Sequence, residues 1–288
     1  MSLIKFALKD RGVSHIEKDI PCQDSADAVL GFNSTIGIAC VADGHGGDKY
    51  FRSAGGSNFA VNIALRSLMN FYGSLTKKRT VFFDSKTGSE DIRNIDMRSK
   101  LKQLEANIIY EWRNAVMEDL KNNTLTEAEI EICNDCNIQH DDPVIYGTTL
   151  LAALVSDYFW FAIHIGDGLC IVLENEEEIF CPIKEDERLA FGRTTSLCDN
   201  DAINNFRESY GFSMIMGLTA ATDGMTDSFE PDKYLQFNKE LYEKFSHFPI
   251  KTETELNDFL PKISERGSRD DISIAGIFRI NELKKVMT

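Results

Sequence analysis

The sequence predicts a single α+β domain that spans all 288 residues, 1–288. Apolar, strand-like runs occupy both ends of the chain, at 3–8 and 271–280. Between them lie further strand-like runs and long segments whose apolar residues recur at helical spacing. The sequence shows no internal repeat and no low-complexity linker. Strands at both ends that enclose central helices favour one interleaved domain over two separable ones.

The first half of the chain predicts a strand, a polar connection, a hairpin and two long helices. Asn33-Ser34 is a turn-forming pair between two apolar runs, which predicts the hairpin. Gly55-Gly56 lies inside the first helix, where glycine lowers helix stability, and it indicates close packing or an interruption there. In order, the predicted elements are a strand at 3–8, a loop or bulged strand at 10–24, strands at 27–32 and 35–42, a helix at 48–72, a loop at 73–95 and a helix at 97–120.

The second half predicts a return to strands and then two amphipathic helices. Thr126 with Glu129, and Thr252 with Glu255, have the spacing of a capping box, which predicts that a helix begins at each position. A mixed polar stretch at 186–212 predicts an excursion over the surface. The predicted strands lie at 147–155, 158–165, 169–174, 179–183 and 213–222, and the predicted helices at 232–247 and 253–265.

Composition and charge are those of a soluble globular protein. Hydrophobic residues make up 43% of the chain and charged residues 27%. The net charge of −15 argues against a nucleic-acid or anionic-membrane surface, because phosphates attract basic patches. Seven scattered cysteines do not form a disulfide framework, and no apolar run is long enough to span a bilayer. We therefore expect a cytoplasmic protein and a monomer.

Six aspartates stand where predicted strands end, and several of them lie beside glycine. A single Asp-Gly pair usually marks a turn. Several such pairs, each directly after an apolar strand, indicate a shared role. Mg²⁺ and Mn²⁺ take oxygen ligands and keep several waters, so a few aspartates around a water-filled site suit them. The predicted metal ligands are Asp24, Asp43, Asp167, Asp223, Asp227 and Asp270.

Five short motifs carry a resemblance to a known family. In chain order they begin with Val41-Ala42-Asp43-Gly44-His45-Gly46-Gly47 and Tyr146-Gly147-Thr148-Thr149, and they continue with Gly166-Asp167-Gly168, Ala221-Thr222-Asp223-Gly224-Met225-Thr226-Asp227 and Ser268-Arg269-Asp270-Asp271-Ile272-Ser273. The set resembles the ordered motifs of the metal-dependent protein phosphatases, the PP2C or PPM family, and its bacterial-type subgroup in particular. Each motif is weak alone, but five in family order along nearly the whole chain are specific.

The resemblance implies a fold, an activity and a cofactor. The fold is a four-layer α-β-β-α sandwich, in which two antiparallel sheets are flanked by helices. The activity is hydrolysis of phosphoserine and phosphothreonine in proteins by a hydroxide that bridges two Mg²⁺ or Mn²⁺ ions. The resemblance also implies a helical and loop elaboration at 73–140 and a flap beside the active site at 186–212.

Five positions match the core metal ligands of the family. Asp43 matches the carboxylate that bridges both metals, and the Gly44 carbonyl would bind one of them. Asp223 and Asp270 would hold the other metal. Asp24 matches an aspartate that binds metal directly or through water.

Three further positions match accessory roles in the family. Asp167 and Asp227 match acidic residues that hold a third, weaker metal. His45 matches the histidine proposed to protonate the leaving oxygen. That role suits an imidazole, whose unperturbed pKa of about 6.5 is near the working pH.

The chain departs from the family pattern where the phosphate is gripped. The usual arginine is replaced by His15, at the end of Gly12-Val13-Ser14-His15. His15 could donate a hydrogen bond to the phosphate, or Arg11 or Lys18 could take that role. Asp271 stands where an asparagine is common, and it adds a negative charge beside the metals.

Two other functions stay open on the sequence. The departure at His15 motivates a phosphatase-like binding module that has lost turnover, although every core metal carboxylate is present. A hydrolase of small phosphomonoesters would share the site and differ only in its substrate.

Two weaker patterns have structural alternatives. Cys133-x-x-Cys136, with His140 nearby, resembles half of a zinc site, but a structural site needs four ligands and free thiols are the alternative. In the predicted flap, Arg193, Thr194 and Thr195 are candidates for substrate contact, or else part of a mobile surface loop.

Overall fold

The computed structural model describes residues 1–77, 96–184, 186 and 194–281. Most of the loop predicted at 73–95 lies outside the described residues, as does Arg193 of the predicted flap. No helix within the described ranges is long and apolar enough to cross a membrane.

The described chain contains ten strands in two five-stranded sheets. They are β1 (Ser2–Asp10), β2 (Ser25–Gly31), β3 (Ile36–Ala42), β4 (Leu150–Ser156), β5 (Trp160–Ile165), β6 (Leu169–Leu173), β7 (Ile179–Phe180), β8 (Arg207–Gly211), β9 (Gly217–Ala221) and β10 (Ile272–Ile280). The first sheet has the order β1-β10-β9-β6-β7 and the second β2-β3-β4-β5-β8. Every neighbouring pair is antiparallel. The prediction of two antiparallel sheets is confirmed, and β1 pairs with β10 along its full length.

Helices cover both outer faces of the paired sheets. In the described chain they are α1 (Val13–Glu17), α2 (Ser53–Lys77), α3 (Met97–Asn122), α4 (Glu127–Asp135), α5 (Ala202–Asn205), α6 (Asp223–Thr226), α7 (Pro231–His247) and α8 (Pro249–Arg266), with 3₁₀ turns at Asp48–Tyr50 and Pro143–Tyr146. Helix α2 packs on the second sheet and against α3, whereas α7 and α8 pack on the first sheet. The layers therefore run α-β-β-α, as predicted.

Three apolar clusters fill the spaces between the layers, and β3 contributes to two of them. Ile38 and Cys40 belong to the cluster under α2, and Ala39 and Val41 to the cluster between the sheets. Side chains alternate along a strand, so both faces of β3 are buried and its sequence is continuously apolar. The third cluster joins the first sheet to α7 and α8.

The long helix predicted at 48–72 begins later and ends later. Its first residues form the 3₁₀ turn, and α2 then continues to Lys77. The close packing predicted at Gly55-Gly56 is confirmed, because a Cβ on Gly56 would collide with the carbonyl oxygen of Tyr146. The Gly56 carbonyl also accepts a hydrogen bond from the buried Trp112 indole at 3.0 Å.

One predicted capping box is confirmed and the other is wrong. At the start of α4, the Thr126 side chain accepts from the amide of Glu129, and the Glu129 carboxylate accepts from the amide of Thr126. Helix α8 instead begins at Pro249, so Thr252 lies inside the helix and is buried. Proline favours the first helical position because its φ is already helical and it has no amide hydrogen that needs a partner.

The stretch predicted as a surface excursion contains a strand that the sequence did not predict. Strand β8 pairs with β5 at the edge of the second sheet. Its sequence is mostly polar, but Glu208 lies 3.3 Å from the amine of Lys102 and 3.1 Å from Nε of Arg98, both on α3. The strand predicted at 213–222 correspondingly begins only at Gly217.

Candidate metal centre

Three loops bring aspartates together at the ends of strands. Asp43 follows β3, Asp167 lies in the turn between β5 and β6, and Asp223 opens α6 directly after β9. One carboxylate oxygen from each of the three lies within 4.8 Å of the other two. We call Asp43, Asp167 and Asp223 the aspartate trio. Residues far apart in sequence thus meet at one point, as the sequence predicts.

The backbone of Asp43 is fixed by two threonines that directly precede β4. The Asp43 amide donates to the Thr149 hydroxyl at 2.9 Å. The Asp43 carbonyl accepts from the Thr149 amide at 2.8 Å and from the Thr148 hydroxyl at 2.8 Å. With its amide and carbonyl both held, the Asp43 side chain projects from a rigid position.

The Asp167 turn is held by two threonines of the predicted flap, Thr194 and Thr195. The Thr194 hydroxyl donates to one carboxylate oxygen of Asp167 at 2.6 Å, and the Gly166 amide donates to the Thr195 hydroxyl at 3.0 Å. The second oxygen of Asp167 is buried and receives no hydrogen bond from the described chain. A buried carboxylate oxygen without a hydrogen-bond donor lowers the stability of the fold unless a cation contacts it.

Asp24 lies deeper than the trio. Its side chain is almost fully buried and accepts a hydrogen bond from the Thr222 hydroxyl at 2.8 Å. Burial raises the pKa of Asp24 to about 8, against the opposing effect of the bonds from Thr222 and Ser273. Asp24 is not part of the aspartate trio, but its charge raises the pKa of Asp43.

The last two predicted ligands are more open to solvent. The side chain of Asp270 is 54% exposed, and one of its oxygens accepts from the Asp271 amide at 2.8 Å. Burial raises the pKa of Asp227, and the charges of Asp167 and Asp270 raise it further. Both residues also raise the pKa of Asp223, so their charges border the trio.

The trio concentrates negative charge that needs compensation. Burial raises the pKa of Asp43 well above its ordinary value, and the charges of Asp24, Asp223 and Asp167 add to this rise. Burial, followed by the charge of Asp167, raises the pKa of Asp223 to about 6. Carboxylates this close retain protons near neutral pH unless a cation is present. The all-oxygen donor set and the unpartnered Asp167 oxygen fit a hard divalent cation such as Mg²⁺ or Mn²⁺.

Gly44 and His45 extend the Asp43 loop. A Cβ on Gly44 would lie 2.7 Å from the carbonyl oxygens of Gln23 and Ser53, so only glycine fits there without a shift. The His45 amide donates to the Gly147 carbonyl at 3.0 Å, and its ring lies 5.0 Å from the Tyr50 ring. Burial lowers the pKa of His45, while the charge of Asp167 opposes the shift.

The family follows from a match to nearly the whole chain. The sequence profile described as protein phosphatase 2C matches residues 11–261. The chain belongs to the protein phosphatase 2C family. Members of this family are metal-dependent serine/threonine phosphatases, as the aspartate trio and the motif order indicate. No curated protein sequence matches this phosphatase at a significant level.

Solved structures of bacterial phosphatases share the fold of this 2C-type phosphatase. The Mycobacterium tuberculosis serine/threonine phosphatase PstP/Ppp is 17% identical with a TM-score of 0.56, over 98% of this chain and 100% of that one. Stp1 from Staphylococcus aureus is 15% identical with a TM-score of 0.56, over 98% and 96% of the two chains. The PstP catalytic domain in complex with two manganese ions is 17% identical with a TM-score of 0.55, over 97% and 99%. At these identities the likeness shows the fold alone.

His15 of the phosphatase lies against the loop that carries Asp270. Its Nε2 is 3.5 Å from an Asp270 oxygen, and its Nδ1 is 2.9 Å from an Asp271 oxygen. Arg11, the alternative phosphate ligand, donates to the His15 carbonyl at 3.0 Å and lies 3.5 Å from the carboxylate of Asp19. No lysine or arginine of the described ranges forms an ion pair with the trio. Phosphate binding by His15 therefore stays a prediction.

Sequence reasoning missed several residues that shape the site. The hydroxyls of Thr148 and Thr149 hold Asp43, and the signal for them was the Tyr146-Gly147-Thr148-Thr149 motif. Thr222 directly precedes Asp223 and bonds to Asp24. Contacts of this kind depend on which strands meet, and motif spacing alone does not give them.

The half zinc site gains no further ligands. Across the described residues, the aspartate trio is the one group of three potential metal-binding side chains that lie close enough together. Cys133 is buried, Cys136 is exposed, and none of the seven cysteines is in a disulfide. Two free thiols at the end of α4 are therefore the supported interpretation.

Proposed function

We propose that this chain is a divalent-metal-dependent phosphatase that hydrolyses phosphoserine and phosphothreonine in proteins. The observation that carries the proposal is the aspartate trio, whose oxygens lie within 4.8 Å of one another on three motifs typical of the family. A close group of partly buried carboxylates is costly for folding, and it is useful where cations must be held. No specific contact among the described residues favours the binding module or the small phosphomonoesterase.

The ligands of the core site are drawn from the trio and its neighbours. Asp43 would be shared by two Mg²⁺ or Mn²⁺ ions, with the Gly44 carbonyl on one ion and Asp223 and Asp270 on the other. Asp24 would bind directly or through water. When bound, the ions would activate a water for in-line attack and neutralise the charge of the phosphate.

A third ion would use the acidic residues at the border of the trio. Asp167 offers a buried oxygen that no described residue bonds, and Asp227 lies close enough for Asp167 to raise its pKa. The other oxygen of Asp167 already accepts from Thr194, so one free oxygen remains for an ion. This ion would bind more weakly than the core pair, because fewer charged oxygens face it.

His45 would donate a proton to the departing serine or threonine oxygen. Its backbone amide is fixed to Gly147, and its ring rests against Tyr50, which limits the ring to a narrow range of orientations. The lowered pKa makes the protonated ring a stronger acid but reduces the fraction protonated at neutral pH. The charge of Asp167 offsets part of that loss.

The substrate would be a phosphorylated protein met in the cytoplasm by a monomeric enzyme. Seven cysteines that form no disulfide suit a reducing compartment. The net charge of −15 disfavours nucleic acid and anionic membranes as partners. Gel filtration with light scattering would test the monomer, and a dimer mass would contradict it.

The test is hydrolysis of a phosphothreonine peptide with Mn²⁺ by the wild type and by Asp43→Asn and Asp223→Asn. Both substitutions should lower kcat by at least about 100-fold, since each removes a charged ligand. Asp258→Asn, an exposed position on α8, is the matched control and should behave as the wild type. Activity unchanged by both site substitutions would reject the proposal. Metal binding without turnover would favour the binding module. Faster turnover of small aryl phosphates than of phosphopeptides would favour the phosphomonoesterase.

A further inference from the structure

The loop that carries Asp270 is held by the N-terminal segment around α1. The Ser14 amide donates to the Arg269 carbonyl at 2.9 Å. The Arg269 guanidinium lies 2.6 Å from a Glu17 oxygen. Arg269 itself has a φ of +64°, an unfavourable value for a residue with a side chain. The surrounding contacts must therefore fix this loop in one conformation.

Asp271 anchors that segment from inside the protein. Its side chain is 3% exposed and accepts from the Gly12 amide at 2.7 Å and the Gln23 amide at 2.6 Å. A Cβ on Gly12 would collide with the backbone of Asp270, so the two segments are in direct contact. The Asp271 carboxylate thus joins the start of α1, the segment before Asp24 and the Asp270 loop.

His15 spans the two carboxylates of this loop. Its ring places Nδ1 2.9 Å from Asp271 and Nε2 3.5 Å from Asp270, with only 14% of the side chain exposed. Both contacts are at ion-pair distance, and neither ring nitrogen forms a hydrogen bond to these carboxylates within the described chain. The Asp270 oxygen near His15 is also the one that accepts from the Asp271 amide. No described residue donates to the other Asp270 oxygen, which leaves it available to a cation.

We propose that His15 is a positioning residue that holds Asp270 for a divalent cation and does not grip the substrate phosphate. This inference rests on the proposed metal-dependent function. Asp270 is 54% exposed, so without a lateral contact its carboxylate would sample several rotamers. His15 restricts that freedom from one side while the Asp271 amide restricts it from the other. Outer partners that orient a ligand typically change metal affinity by about 10- to 100-fold.

The environment of His15 disfavours contact with a phosphate. Both ring nitrogens face carboxylates, and an incoming phosphate would meet the negative charges of Asp270 and Asp271 as well as the ring. The two departures from the family pattern, His15 and Asp271, lie in contact with each other.

The test is calorimetric titration of Mn²⁺ into the wild type, His15→Ala and Asp223→Asn, with KM for a phosphothreonine peptide measured at saturating Mn²⁺. His15→Ala should raise the Kd of one Mn²⁺ binding step about 10-fold and leave KM unchanged. His140→Ala, at an exposed position far along the chain, is the control and should bind as the wild type. Should the alanine variant not fold, His15→Leu keeps most of the ring volume without its nitrogens, and the same increase in Kd is expected.

Two outcomes separate failure of this inference from failure of the proposed function. Unchanged Mn²⁺ affinity in a folded His15 variant would overturn the positioning role, whatever happens to KM. If the wild type binds no Mn²⁺, or Asp223→Asn binds as tightly as the wild type, the metal-dependent function itself fails.

Discussion

Replacing Asp223 by asparagine should stabilise the metal-free phosphatase. The folded protein raises the pKa of this carboxyl from 3.8 to about 6, through burial and the charge of Asp167. A folded protein that binds a proton more tightly than its unfolded chain loses stability as pH rises between the two pKa values. At pH values above both pKa values, this loss of folding stability is constant. A substitution that removes the carboxylate charge also removes the loss.

The size of the gain follows from the pKa change. About two pKa units correspond to roughly 3 kcal/mol at about pH 8. This is an upper value, because the carboxyls of Asp43 and Asp223 lie close together and the charge state of each affects the other. At about pH 4 the same relation leaves a gain below about 1 kcal/mol, since the carboxyl is then protonated in the fold and already partly protonated in the unfolded chain.

The assay is urea unfolding with a chelator present, at about pH 8 and about pH 4, for the wild type, Asp223→Asn and the exposed control Asp258→Asn. The expected result is a gain for Asp223→Asn that is large at the higher pH and small at the lower one, with no gain for the control. A loss of stability at the higher pH, or an equal gain at both, would refute the electrostatic reasoning. Added Mn²⁺ should reverse the order, because it stabilises the wild type by binding the folded state.

Three further predictions concern the same end of the sandwich. Mn²⁺ binding should release protons and weaken as pH falls below about 6, because the cation displaces protons from the aspartate trio. Calorimetry in two buffers of different ionisation enthalpy checks this release. Equal heats of binding in both buffers would contradict it. Gly44→Ala should lower the free energy of unfolding by about 2 kcal/mol in urea, since its Cβ would lie 2.7 Å from two backbone carbonyls. Gly46→Ala, with nothing within 4 Å of its Cβ, should cost less than about 0.5 kcal/mol, and equal losses would count against the packing argument. Tyr50→Ala removes the ring that contacts His45, and it should slow hydrolysis of a phosphothreonine peptide about 10-fold more than that of an aryl phosphate. The reason is that the proton of His45 matters most for a poor leaving group. Equal slowing of both substrates would argue against a positioning role for the Tyr50 ring.

Much of the fold could be predicted because local signals agreed with the tertiary packing. The run at β3 is apolar throughout because both of its faces are buried, one under α2 and one against the other sheet. The start of α4 was predictable because Thr126 and Glu129 satisfy each other's backbone amides within a few residues. Such signals need no knowledge of distant parts of the chain.

The missed elements depend on partners that lie far away in sequence. The edge strand β8 looks like a polar loop, because Glu208 is stabilised by cations on α3 and not by an apolar surface. The Thr252-Glu255 pattern is local and persuasive, but Pro249 starts the helix one turn earlier. A competing local signal therefore decided where the helix begins. Ion pairs between residues distant in sequence account for the strand that was missed.

The sequence predicted that the aspartates of the trio lie together, and it did not predict the residues that hold them in place. The aspartates of the trio stand beside glycines at strand ends, and the structure brings their oxygens together. The contact between Thr194 and Asp167, and the placement of His15 on the Asp270 loop, depend on how separate segments dock. Motif order identified the family, but it gave no information about which neighbours hold each ligand.

The central claim is that the aspartate trio holds divalent cations. A crystal structure of the protein soaked in Mn²⁺, with anomalous scattering data, tests it most directly. We expect at least two anomalous peaks, with oxygens of Asp43 and Asp223 about 2.0–2.3 Å from the ions. Mn²⁺ bound elsewhere on the protein while the trio remains empty would contradict it.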